Sequence, residues 1–184
     1  MPLSRTFRLS RPWRQAVLAL HVLCGVGWMG LDLGLIVLVL TGATSGSGPT
    51  VAAAYTAVRL VVPVVVPLVA TGMLVTGLLL GWGTRWGLLE WTWVLLKLVI
   101  GVVLTALVFV LLLPLALGVP PDLGGSAADV REAVGAAVRS LVFPPMVSFT
   151  ALGVSLVLSI WKPWGRTAWA LRRREAAHTV SAGR

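Results

Sequence analysis

Ala16–Thr41 reads AVLALHVLCGVGWMGLDLGLIVLVLT, and the way this run is read decides the fold. A helix rises about 1.5 Å per residue and about 20 apolar residues span the hydrocarbon of a bilayer, so the run is long enough to cross. It nevertheless carries His21 and Asp32. An ionisable side chain costs about 2.5 to 3.5 kcal/mol at the centre of a membrane helix on insertion scales, and it usually faces protein or water rather than lipid. At 100° per residue His21, Gly25, Trp28 and Asp32 fall within one narrow arc, flanked by Cys24 and Met29, while the opposite side is Val, Leu and Ile. The expectation is a helix with one polar, small-residue face turned to other helices and one face turned to lipid.

Composition extends this reading to the whole chain. It is 58% hydrophobic and 11% charged with a mean hydropathy of +0.95, outside the usual range of a soluble domain. At 184 residues there is room for about four crossings, so a single membrane domain over residues 1–184 is expected. The net charge of +9 comes from arginines beside hydrophobic runs, which topology and anionic lipid explain better than nucleic acid does. Cys24 is the one cysteine, which excludes a disulfide framework within the chain.

Crossings are expected at 16–41, 60–81, 91–117 and 141–161. Arg5, Arg8, Arg11 and Arg14 precede the first, whose length and polar residues read as an anchor rather than a signal peptide, with its core of about 7 to 15 residues. GATSGSGPT reads as a loop, and Pro63 and Pro67 should bend the second helix. After the break PPDLGG, Ser126 to Val138 reads as a short amphipathic helix with Ser126 as N-cap and Val130, Val134 and Val138 on one stripe. The fold class is therefore all-α, an integral membrane four-helix bundle with this short helix before the fourth crossing.

Basic residues set the orientation. The N-terminus, the connection with Arg85, and the tail over 162–184 with Lys162, Arg166 and Arg172 to Arg174 all fall on one side, cytoplasmic by the positive-inside rule. Trp13, Trp82, Trp86, Trp91, Trp93, Trp161, Trp164 and Trp169 cluster at the same interface. The connection before the fourth crossing sets Asp122, Asp129 and Glu132 against Arg131 and Arg139, nearly neutral as suits the outer side.

Counting from the inner ends places His21 and Lys97 within about 1.5 Å of the same height, with Thr76 and Ser155 near that level. Asp32 lies about 15 Å further out, and Arg59 is the cation expected to reach it. Against 13 Arg the chain has 2 Lys, yet Lys97 is the basic residue placed inside a helix, and an ammonium can give up a proton where a guanidinium in practice cannot. Plainer readings stand beside these. Gly30 with Gly34, and Ala151 with Ser155 and Ser159, read as close-packing devices; Lys97 can snorkel to the interface; Cys24 with Met29, Met73 and Met146 offers soft ligands for copper.

The segments LHVLCGVGWMG, PLVATGMLVTGLLL and WTWVLLKLVIGVVLTAL, covering Ala16 to Leu107, resemble the first three helices of a bacterial superfamily of small helical membrane proteins. It includes the copper-resistance D membrane domain, the J-type membrane protoporphyrinogen oxidase and uncharacterised predicted integral membrane proteins, to which this chain is most similar. The resemblance implies a location in the bacterial inner membrane. From the oxidase branch it implies b-type haem, with His21 as axial ligand and Lys97 as companion beside Trp28. With one membrane histidine, a sixth ligand would be Lys97, a methionine, water or a second subunit. Three functions are thus expected in turn: a haem-binding or redox-associated protein using His21 and Lys97; a non-catalytic accessory or assembly protein, partnered by a second copy or another membrane protein; and a small transporter or ion-pathway subunit relaying through Asp32 and Lys97. The first requires the imidazole and the amine to lie side by side.

Overall fold

The computed structural model describes residues 9–83, 88–135, 140–161, 164–168 and 170–172. Over these the chain is all-helical, with four helices long and apolar enough to cross a membrane. Helix α1 is Arg11–Thr44 and α2 is Gly48–Gly83. Helix α3, Thr92–Leu107, runs through a π-helical turn at Val108–Leu112 into α4, Leu113–Leu117. The short α5 is Ala127–Val134, and α6 is Phe143–Trp161.

The first two helices are longer than their composition suggests. Most of GATSGSGPT is helical, leaving only Ser45 to Ser47 as the connection. Ser47 starts α2 as its N-cap, its Oγ accepting from Thr50 N at 3.4 Å and its carbonyl from Val51 N at 3.0 Å. Packing sustains the added turns, because Val51, Tyr55 and Val58 are each at most 1% exposed. Gly42 matters here: a side chain on it would collide with the Tyr55 ring. Pro63 and Pro67 lie inside α2 without ending it. Pro114 has a clearer local effect, since it cannot donate to Val110 and its ring crowds that carbonyl, and the helix widens to the π form over that stretch.

The expected amphipathic helix forms with Ser126 capping. Ser126 N donates to Asp129 Oδ2 at 2.8 Å and Asp129 N to Ser126 Oγ at 3.3 Å, a reciprocal capping box. Val130 and Val134 are buried and the helix ends at Gly135 with φ +69°; Val138 and Arg139 lie outside the described residues.

The four long helices touch in the ring order α1, α2, α3, α6. Leu9 N donates to the Gly83 carbonyl, and Thr167 Oγ1 to Leu89 O at 2.7 Å, with Arg166 stacked over Trp91 at 5.4 Å. The beginning of α1 and the segment after α6 therefore meet the same end of the array, here termed the inner end. Trp13, Trp82, Trp161 and Trp164 are exposed there, whereas Trp93, at the start of α3, is turned into the protein. Arg5, Arg8, Arg85, Trp86, Lys162, Trp169, Arg173 and Arg174 lie outside the described residues. Leu23, Leu60, Val64, Leu68 and Val110 are each more than 65% exposed along the flanks, the pattern of side chains that meet lipid.

The hydrophobic core is lopsided. Trp28, Leu35, Val39, Val51, Tyr55, Val58, Val62, Val66, Leu104, Val108, Leu112 and Leu152 form one buried cluster in the outer half. Two arginines tie that half together. Arg131 of α5 donates through Nε to Gly42 O at 3.0 Å and through a terminal nitrogen to Ser45 O, covering carbonyls at the end of α1. Arg59 of α2 donates to Leu117 O at 2.7 Å and to Val119 O, doing the same for α4. Arg59 therefore does not serve Asp32 as expected: its guanidinium is engaged by helix-end carbonyls instead.

Candidate functional site

Where the core stops, a cavity of about 730 Å³ opens in the inner half. Small-molecule sites commonly occupy about 300 to 1,000 Å³. Its α3 wall is the stripe Trp93, Lys97, Gly101, Thr105, one residue per turn and so on one face. Arg14, Leu18, His21 and Trp28 line it from α1, Ala70, Met73, Gly77 and Gly81 from α2, and Ser155 and Ser159 from α6. Glycines make the room. At Gly101 a Cβ would meet only Leu74 Cδ1, at 3.9 Å, and at Gly77 it would stand 3.1 Å from His21 Cε1.

His21 leans on α2. Its Nδ1 lies 3.0 Å from the Met73 carbonyl and 3.0 Å from Thr76 Oγ1. A carbonyl only accepts, and Thr76 directs its own hydroxyl at Gly72 O, 2.6 Å away, so Nδ1 must carry the hydrogen. In the neutral ring Nε2 is then the lone-pair nitrogen. Lys97 leans on α6 instead, donating to Ser159 Oγ at 2.5 Å, while Ser159 donates to Ser155 O at 2.9 Å. The amine is held within the wall and does not snorkel out. His21 and Lys97 are within electrostatic reach and face one cavity, but each bonds to a different helix. The side-by-side pair required for the two to act as one unit is thus replaced by two separate anchorages.

Two hydroxyls on residues that line the cavity are themselves buried. Thr105 Oγ1 and Ser155 Oγ, on residues 8% and 4% exposed, find no hydrogen-bond partner among the described residues. Buried polar groups are normally satisfied, and these two oxygens, closed off from the cavity by their neighbours, are exceptions. Thr105 was not foreseen from sequence, nor was Arg14 as a lining residue.

Asp32 belongs to a different environment. It is 1% exposed, and Ser148 Oγ donates to its Oδ2 at 2.6 Å. The Trp28 indole approaches the same carboxyl, and Oδ1 is left without a partner at hydrogen-bond distance. Trp28, 1% exposed, stands between Asp32 and the cavity. Ser148, the partner of Asp32, and Ser159, the partner of Lys97, are eleven residues apart on α6, about 16 Å along its axis, which separates the two charged groups. Ser148, Ser155 and Ser159 stand at i, i+7 and i+11, one face of α6, a periodicity from which Ser148 could have been found.

The plainer readings also sort themselves. Gly30 and Gly34 have no neighbour among the described residues within 4 Å of where a Cβ would stand, so this pair is not a close-packing point between the described helices. Ser155 and Ser159 line the cavity, and Ser159 also receives the Lys97 amine of a neighbouring helix. Cys24 lies against Gly72, Met73 sulfur lies near Gly25, and Met146 is exposed. Among the described residues no three His, Cys, Asp or Glu side chains gather as a metal site.

Comparison with family models, curated proteins and solved structures finds no match. The reading of the site therefore rests on its own geometry.

Proposed function

We propose that this is a membrane protein that holds a lipid-soluble small molecule or cofactor in its inner-half cavity, with that half in the cytoplasmic leaflet of a bacterial inner membrane and both chain ends cytoplasmic. One observation carries the reading. Lys97, Arg14 and the His21 ring line a void in the inner half, a space that the outer half, by contrast, fills with apolar side chains. Arg11, Arg14, Arg166 and Arg172 at or beyond the inner ends of the helices support the orientation.

Gly101→Leu tests this reading, because the new side chain would occupy the cavity with little to displace. Solvent extracts of the purified wild-type protein, analysed by mass spectrometry, are expected to contain a small molecule that the variant lacks. Identical extracts would overturn the proposal.

A second reading, b-type haem, is favoured by the His21 ring alone. Metal-ligating histidines characteristically donate their other ring N–H to a carbonyl or carboxylate, as Nδ1 does to Met73 O, and this would leave Nε2 for iron. Arg14, Lys97 and Trp28 line the same cavity, and the two cations would suit an acidic group on such a cofactor. An absorption band of the haem type that disappears in His21→Ala supports it, and a colourless protein from haem-supplied cells removes it.

A further inference from the structure

Resting on the reading of the cavity as a ligand site, we infer that its occupant is an acidic amphiphile, an apolar chain ending in a carboxylate or phosphate monoester head. Charge balance is the first reason. A cation within a membrane span is normally paired with an acid or with backbone carbonyls. Among the described residues Lys97 Nζ instead has the Ser159 hydroxyl as its partner, a neutral group that accepts one of its hydrogens and leaves the charge uncompensated. Arg14 adds a second cation to the lining from α1. No Asp or Glu lines the cavity to answer either one. Asp32 lies behind Trp28, Asp122, Asp129 and Glu132 belong to the outer side, and Glu90, near the inner end, is outside the lining.

The shape of the cavity and the placement of charge along it supply the second reason. Arg14 is three residues from the start of α1, about 4.5 Å along the axis, and Ser159, which holds the Lys97 amine, is two residues from the end of α6, about 3 Å. Both cations therefore belong to the inner end. Past the His21 ring the lining continues through Met73, Ala70 and Gly101 to Trp28 without a further charged residue. From Arg14 to Trp28 it follows α1 for about 21 Å, and from Trp93 to Thr105 it follows α3 for about 18 Å. That is a long lining for about 730 Å³, suited to a chain rather than to a compact solute. Charge at the inner end and apolar wall toward the middle repeat the order of head and tail in an inner-leaflet lipid. A neutral apolar molecule would leave Lys97 without a counter-charge, and a small inorganic anion would leave the apolar length empty.

The full-length protein in a non-ionic detergent, titrated with dibromostearate, tests the inference, because bromine quenches nearby tryptophan fluorescence and Trp28 and Trp93 line the cavity. Saturable quenching is expected, smaller in amplitude in Trp28→Phe. The methyl ester of the same acid, which has the chain without the charge, should bind about ten-fold more weakly, and Lys97→Met and Arg14→Gln should each weaken binding of the acid by a similar factor. Gly30→Ala, away from the cavity, should leave it unchanged. Stearate and octadecyl phosphate should displace the probe, the tighter of the two naming the head, whereas acetate and inorganic phosphate should not. Should Lys97→Met not yield monodisperse protein, Arg14→Gln, at an exposed position, carries the comparison. Non-saturating quenching, equal affinity for acid and ester, or unchanged affinity in the charge variants overturns the acidic amphiphile. If that happens while Gly101→Leu still removes a co-purifying molecule, the ligand site stands and only its occupant is wrong; if Gly101→Leu removes nothing, the site itself falls.

Discussion

Ser148 Oγ, on α6, donates a 2.6 Å hydrogen bond to the carboxyl of Asp32, on α1, inside the closely packed half of the molecule. The two residues are 116 positions apart, and this bond is a polar link between the first and last long helices. Removing the hydroxyl leaves a buried carboxyl unsatisfied, which costs about 1 to 3 kcal/mol. Ser148→Ala should therefore lower stability by that amount in detergent. Pairing it with Asp32→Leu should cost less than the sum of the two single changes, because both remove the same hydrogen bond. Additive losses in equilibrium unfolding would show that the bond carries no coupling.

Arg59 and Arg131 cover carbonyls where helices end at the outer side. Arg59→Ala and Arg131→Ala should each destabilise by about 1 to 3 kcal/mol, because charged hydrogen bonds to free carbonyls are lost. Since Arg59 does not contact Asp32, the combination of Arg59→Ala with Asp32→Asn should be additive. A measured coupling above about 0.5 kcal/mol would contradict the arrangement.

The glycines of α1 and α2 differ in what surrounds them. Gly30→Ala and Gly34→Ala should change monomer stability by less than about 0.5 kcal/mol, there being nothing to collide with. At Gly72 a Cβ would stand 2.9 Å from Cys24 Sγ, so Gly72→Ala should destabilise measurably. Adding Cys24→Ala should restore most of the loss. Failure of that rescue would show that the close approach is not the cause.

Acid should act on α5. Its Asp129 carboxyl accepts from the Ser126 backbone and side chain, which hold it below the ordinary aspartate value of about 3.9. A carboxyl favoured in its charged form by folding contributes stability that is present above the ordinary value and is lost as pH falls through the folded one. The Ser126 amide resonance is expected to shift with a midpoint below the ordinary value, and the shift should vanish in Asp129→Asn. A midpoint at or above about 3.9 would mean that the capping box does not form in solution.

Much of this architecture was legible before any coordinates. The apolar runs around His21, Pro63, Lys97 and Ser155 each appear as a long helix, because the length of an apolar segment is a property of the local chain. Ser126 and Asp129 announced their cap through a spacing of three residues. The connection after Thr41 was misread for an equally physical reason. Gly, Ser and Thr favour loops by propensity, but burial of Val51 and Tyr55 and the Arg131 contacts outweigh that preference.

Depth along each helix could be counted from sequence, so His21, Thr76 and Lys97 were assigned to neighbouring levels; the rotation of each helix about its axis could not. Rotation made Asp32 a partner of Ser148 rather than Arg59, sent His21 to α2 and Lys97 to α6, and left the Thr105 and Ser155 hydroxyls buried without a partner among the described residues. By itself the sequence determined how many helices form and which polar groups they carry, since hydrophobic length and capping act over a few residues. Only the tertiary structure decided which of those groups meet, because that choice is made by side-chain packing between segments that share no local chemistry.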